Sequence, residues 1–242
     1  MAVVCDRLRV EDLYSNALAF RRRHMEIMNE EKRVSSVLGG LEIKARMREE
    51  FPNRLVITPI LNEQQQIPDH AAAVDLRLGP QFIVAKRSHF AEIDARDGEA
   101  LNTFYQSQEH FDVGMEGQIV IHPQQFLLAA TLEYLRIPTD LTGSVIGRSS
   151  WGRIGLIIAT ATAVHPGFTG CLTLELQNLG DTPIVLHPGT RIAQLALFKV
   201  GADTSRVHDA VFRAKYVAAI GPEVSRLGND ADWKVINRLK KR

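Results

Sequence analysis

The sequence predicts a mainly β protein: an all-β sandwich or barrel set between a helical N-terminal segment and a polar C-terminal tail. Three observations carry this. Between residues 54 and 200, about ten short runs, apolar or alternating, are separated by turn residues. Proline punctuates those runs at His122-Pro123, His165-Pro166-Gly167 and His187-Pro188-Gly189, where its fixed φ suits a turn. Nothing there alternates strand with helix as a parallel sheet requires.

Residues 6 to about 50 read as helical, because Leu8, Leu13, Leu18, Met25, Ile27 and Met28 recur among dense charges. The run Arg21-Arg22-Arg23, followed by Glu26, Glu30 and Glu31, reads as a solvated helix face. Gly39-Gly40 is expected to break this region. Strands are expected over 54–58, 73–78, 82–86, 118–121, 126–132, 143–146, 156–161, 171–176, 183–186 and 191–198. From residue 201 the chain turns polar and ends in Asn237-Arg-Leu-Lys-Lys-Arg242. The division is therefore 1–53 as a helical extension, 54–200 as the β domain and 201–242 as a tail, with no solenoid repeat.

Composition agrees with a globular chain. The 242 residues carry 29 Lys plus Arg against 28 Asp plus Glu, and 45% are hydrophobic, so disorder throughout is excluded. A formal net charge of +1 gives no electrostatic reason to expect nucleic acid as a partner. Apolar stretches such as 154–163 reach about half of the roughly 20 residues needed to span a bilayer, so no membrane partner is expected. Charge appears almost at once (Asp6, Arg7, Arg9), which argues against a secretory signal. Two cysteines, Cys5 and Cys171, form no disulfide framework. A cytoplasmic location is expected.

Two segments hold candidate chemistry. In Cys171-Leu-Thr-Leu-Glu-Leu-Gln-Asn178 the alternation puts Leu172, Leu174 and Leu176 on one strand face and Thr173, Glu175 and Gln177 on the other. A glutamate there is ordinarily a solvated surface group. In the mouth of a barrel it is desolvated, its pKa rises, and it can take a proton from water. The segment Gly147-Arg-Ser-Ser-Trp-Gly-Arg153 gathers two guanidinium groups, two hydroxyls and two glycines. Such a loop suits an oxyanion, because arginine's forked donors match phosphate oxygens and glycine lets backbone N–H groups approach closely. It is not a P-loop, and no Gly-x-Ser-x-Gly elbow occurs. The eight histidines form no zinc motif; His24-Met25-Glu26 lacks the Pro-Cys-x-x-Cys half of the zinc deaminase signature. A deamination by this chain is expected to proceed without zinc.

Four motifs in order, Ala73-Val-Asp-Leu-Arg-Leu-Gly79, Gly147-Arg-Ser-Ser-Trp-Gly-Arg153, His165-Pro-Gly-Phe-Thr-Gly-Cys-Leu-Thr-Leu-Glu175 and Pro188-Gly-Thr-Arg-Ile-Ala-Gln-Leu195, resemble the dCTP deaminase family of the dUTPase-like superfamily. The resemblance covers about residues 55–200, and more loosely Arg213-Ala-Lys-Tyr216 with Gly221-Pro222 and Ser225-Arg226. It implies a distorted jelly-roll, dUTPase-like β fold and a homotrimer with active sites at subunit interfaces, closed by C-terminal tails. It also implies the chemistry: Glu175 activates a water that attacks C4 of cytosine, and ammonia leaves. By the same resemblance Ser149 and Arg153 position the water and hold the glutamate, and Arg148, Ser149 and Ser150 belong to the triphosphate site. Backbone groups at Ala161 read the pyrimidine, His165 lies at the sugar, and Lys215 and Tyr216 are the tail residues, Lys215 reaching the phosphates. Magnesium accompanies the triphosphate as a charge neutraliser.

The sequence departs from the family in two places. His165 stands where an aspartate is usual, which removes a negative charge and enlarges the side chain at the sugar. Val217-Ala218-Ala219 follows Lys215-Tyr216 where the family often has Gln-Gly-Gln. The leading expectation is deamination of dCTP to dUTP. A dUTPase, a bifunctional enzyme making dUMP, and a nucleotide-binding regulator without turnover are the alternatives.

Overall fold

The computed structural model describes residues 36–85, 92–159, 163–201 and 218–230, with Asp232, Trp233 and Ile236. The fold lies in the compact unit Val37–Arg242. Residues 6–35 of the expected helical segment lie outside the described residues.

Helix α1 (Gly40–Arg48) begins at the glycine pair expected to break the helical region. Gly39 serves as its N-cap, and its backbone N–H donates to the Glu42 carboxylate at 3.1 Å. That bond holds the Glu42 carboxyl below its ordinary range. Gly40 is required by space, since a Cβ there would fall on the Pro68 carbonyl. Leu38 and Ile43 are fully buried in the same core as the strands that follow.

The strands are β1 (Val56–Thr58), β2 (Val74–Val84), β3 (Glu109–Asp112), β4 (Ile119–Ile121), β5 (Phe126–Arg136), β6 (Leu141–Gly147), β7 (Leu156–Ile158), β8 (Ala163–Val164), β9 (Thr169–Asn178), β10 (Ile184–Leu186) and β11 (Arg191–Lys199). Nine form one sheet, in the order β7-β9-β5-β2-β11-β6-β8 with β1 on β5 and β3 on β2; β10 and β4 pair separately. Every named pairing is antiparallel. This is the mainly β architecture that the turn-punctuated runs predict. It is also a curled one, because strand β2 serves two layers: its first half pairs with β11 and its second with β3 and β5.

The strand readings at 73–78 and 82–86 are corrected by this, since residues 74–78 and 82–84 belong to the two halves of β2. Gly79-Pro80 sits between them, where a turn would be read. Instead the strand runs on, and a Cβ at Gly79 would lie 3.0 Å from the Ala130 carbonyl oxygen. Strand β5 continues past 132 through an irregularity between Ala130 and Tyr134. There the Thr131 hydroxyl donates to the Glu133 carbonyl at 2.8 Å and accepts from the Leu172 backbone N–H at 2.9 Å, repairing the interrupted ladder. Strands β3 and β8 and helices α2 (Glu63–Gln66) and α4 (Ser149–Gly152) are too short to carry a periodic apolar signal; α3 (Gly98–Gln106) is absent from the sequence reading although Leu101, Phe104 and Tyr105 recur there at helical spacing.

The three proline turns share one geometry. The N–H groups of Gln125, Phe168 and Thr190 donate to the carbonyls of His122, His165 and His187 at 3.0, 3.1 and 3.3 Å. The third residue of each, Gln124, Gly167 and Gly189, has φ of 61°, 78° and 80°. The core between the layers is aliphatic but for Phe82, with Leu76, Leu78, Leu127, Leu135, Leu174, Leu176 and Leu195 around it. Among the described residues no helix is long and apolar enough to cross a membrane.

Candidate active site

Strand β9 has the faces its alternation predicts. Leu174 and Leu176 are fully buried, whereas Thr173, Glu175 and Gln177 are half-buried on the opposite face. Leu128 of β5 stands opposite Glu175, and the Ala159 N–H, just past β7, donates to the Glu175 carbonyl at 2.8 Å. One register step on, Gln177 lies between Phe126 and Ile157, whose side chains remain 37% and 38% exposed. Partial burial pushes the Glu175 carboxyl above its ordinary range. Among the described residues no hydrogen bond or ion pair reaches that carboxylate.

The C-terminal segment returns to the start of the same strand. The Ala218 N–H donates to the Thr169 carbonyl at 2.8 Å, the Cys171 N–H to the Ala219 carbonyl at 2.7 Å, and the Glu223 N–H to the Thr173 hydroxyl at 3.0 Å. Gly170, at φ +135°, makes the approach possible, because a Cβ there would sit 2.9 Å from the Ala219 nitrogen.

The segment 147–153 leaves three of its polar side chains open. Ser149 and Ser150 begin α4 and are exposed, as is Arg153. Arg148 behaves differently. Its Nε lies 3.7 Å from Asp75 Oδ1 and its Nη1 donates to the Arg191 carbonyl at 3.3 Å, the same carbonyl that accepts from Trp151 Nε1 at 3.0 Å. The turn carrying Arg153 ends at Gly155, whose carbonyl accepts from the Leu179 N–H at 2.8 Å beyond the end of β9. Within one chain, then, neither Ser149 nor Arg153 hydrogen-bonds Glu175. His165 is exposed at the start of the turn before β9. Ala161, Lys215 and Tyr216 lie outside the described residues.

Sequence reasoning assigned no role to two buried carboxylates. Asp75, on β2, accepts from Arg191 Nη1 and from Gln194 Nε2, each at 2.9 Å. Glu133, in the β5 irregularity, is fully buried and accepts from Gln66 Nε2 at 2.9 Å and the Arg77 N–H at 2.8 Å. Desolvation pushes its carboxyl up to about 7. Asp75 is visible in sequence as the one acidic residue of the motif 73–79, beside Arg77; Glu133 lies in an ordinary apolar run with nothing to mark it. A cleft of about 380 Å³ between β2, β3 and the returning tail is lined by Phe82, His110, Asp112, Gly221, Pro222 and Glu223 among others, and by none of the candidate site residues.

Residues 37–200 match the family model described as dCTP deaminase-like. The dCTP deaminase of Halorubrum lacusprofundi is 35% identical over 198 residues, 81% of this chain and 94% of that protein. The dUMP-forming dCTP deaminase of Methanobrevibacter smithii is 37% identical over 202 residues, 82% of this chain and 99% of that protein. Among solved structures, 2'-deoxycytidine 5'-triphosphate deaminase from Agrobacterium tumefaciens superposes with a TM-score of 0.52 at 22% identity, over 69% of this chain and 49% of that one, and so shares its fold. This chain thus spans about half the length of that structure.

Proposed function

This chain belongs to the dCTP deaminase-like family, and we propose that it hydrolyses dCTP to dUTP and ammonia with Glu175 as the group that activates water. The observation that carries the reading is the Glu175 carboxylate, held on the open face of β9, unpartnered among the described residues and raised in pKa by burial. A carboxylate so placed takes a proton from water as the oxygen attacks C4. It then returns a proton to the exocyclic nitrogen, the C4–N4 bond breaks and ammonia departs. Atoms balance as dCTP plus water giving dUTP plus ammonia.

Arg148 and Ser150 bind the triphosphate in this reading, and Lys215 and Tyr216 join them from the tail. Ser149 and Arg153 orient the water and the carboxylate. The backbone at Ala161 reads the base, and His165 meets the sugar with one hydrogen bond in place of a carboxylate's charge. Ser149, Ser150 and Arg153 are exposed, and apolar side chains flank Gln177. That arrangement supports a homotrimer in which the loop of one subunit completes the site around Glu175 of another. Among the described residues no cluster of three or more His, Cys, Asp or Glu side chains is disposed to hold a metal ion. A magnesium ion accompanying the substrate would neutralise phosphate charge, with phosphate and water oxygens as its ligands.

A second reading, onward release of pyrophosphate to give dUMP, is favoured by the names of relatives such as the M. smithii and Methanosphaera stadtmanae proteins. Incubating the purified protein with dCTP, CTP and dUTP plus magnesium, and following ammonia, pyrophosphate and nucleotides, separates the readings. Ammonia and dUTP from dCTP support the deaminase. Ammonia with pyrophosphate and dUMP supports the bifunctional enzyme, and no turnover of any nucleotide removes both.

A further inference from the structure

We infer that Asp75 is a positioning residue for the triphosphate: buried between β2 and β11, it fixes the guanidinium of Arg148 edge-on so that its remaining donors face an incoming anion. The inference rests on the reading of Arg148 as a phosphate ligand. The Asp75 side chain is only 8% exposed, yet it collects three partners from two other parts of the chain. Oδ2 accepts from Arg191 Nη1, and Oδ1 accepts from Gln194 Nε2 and faces Arg148 Nε at 3.7 Å. Arg191 Nη1 also donates to the Gln65 carbonyl at 3.1 Å, so the arginine next to Arg148 is fixed as well.

Arg148 is thereby held along one side, by an ion pair of Nε with the carboxylate at 3.7 Å, beyond hydrogen-bond distance, and by the hydrogen bond of Nη1 to the Arg191 carbonyl at 3.3 Å. Its Nη2 has no partner among the described residues, and the side chain remains 29% exposed. A free arginine loses rotamer freedom when it binds an anion; one already clamped does not, so the clamp lowers the cost of each hydrogen bond to phosphate.

Charge alone predicts the opposite sign. A carboxylate beside a triphosphate repels it, so removing the charge would tighten binding if Coulomb forces decided the matter. Positioning predicts that removing it weakens binding. The two effects are therefore distinguishable in direction.

The test measures inhibition constants for tripolyphosphate and deoxycytidine, with KM and kcat for dCTP, on the full-length protein and on Asp75→Asn, Arg148→Ala, Arg148→Lys and the Asp75→Asn/Arg148→Ala double variant. Asp75→Asn is expected to weaken tripolyphosphate and raise KM for dCTP about tenfold, with kcat within about twofold and deoxycytidine inhibition unchanged. In the double variant Asp75→Asn should add nothing to Arg148→Ala. Arg148→Lys, on an exposed loop that does not endanger folding, keeps the charge but cannot make both side-on contacts, and should lose nearly as much as Arg148→Ala. Unchanged or tighter tripolyphosphate binding in Asp75→Asn overturns the inference alone, as does wild-type binding by Arg148→Lys. Wild-type binding by Arg148→Ala overturns the phosphate role of Arg148 and the inference with it.

Discussion

The backbone N–H of Glu223 donates to the hydroxyl of Thr173 at 3.0 Å, two residues before Glu175 on the same face of β9. The returning tail is thus tied to the strand that carries the proposed base, through a side chain as well as through main-chain bonds at Thr169 and Cys171. Thr173→Val keeps the shape and removes the acceptor. Hydrogen exchange at residues 218–223 should quicken by about fivefold to tenfold, as expected for loss of one hydrogen bond worth about 1 kcal/mol. Unchanged exchange would show that the main-chain bonds alone hold the segment.

Glu133 should make stability depend on pH. Its ordinary value of 4.5 applies to the unfolded chain, whereas burial raises it to about 7 in the folded protein. Between these values the unfolded chain has lost the proton that the native protein retains. The contribution is therefore fully present below about pH 4.5 and is lost as pH rises through about 7, a change of roughly 3 kcal/mol. Glu133→Gln removes this titration, so the wild-type melting temperature should fall relative to the variant's between pH 5 and pH 8. Parallel profiles would show that the carboxyl is ionised throughout.

Glu175 titrates in the opposite functional sense. As a base it must be ionised, and its raised pKa moves the acidic limb of kcat/KM above the ordinary glutamate range. Ammonia release should fall as pH drops through that raised value. Glu175→Gln should lower kcat by roughly 100-fold to 10,000-fold and abolish the limb while dCTP still binds. An active Glu175→Gln protein would move the chemistry to another group.

Leu174 adjoins Glu175 in sequence but points into the core, where it is fully buried. Leu174→Ala should cost about 3 kcal/mol and lower the melting temperature by roughly 10 °C, with KM for dCTP unchanged. A raised KM with unchanged melting would mean that the two faces of β9 are not independent.

Short-range pattern determined a good deal about this protein. The alternation in 171–178 assigned Glu175 to the face opposite the leucines, because successive side chains of a strand must point to opposite sides. The His-Pro turns were legible for a similar reason, since proline and glycine restrict φ within the turn itself. Most strands followed from such local signals, although Gly79-Pro80 misled, because whether that pair turns or continues depends on the strands beside it. The tertiary structure alone decided which distant residues meet. Asp75, Arg148, Arg191 and Gln194 come from two strands and a loop, and no local spacing encodes their convergence. The burial that raises Glu133 and Glu175 belongs to the same class, because desolvation is set by what packs around a carboxylate rather than by its neighbours in the chain.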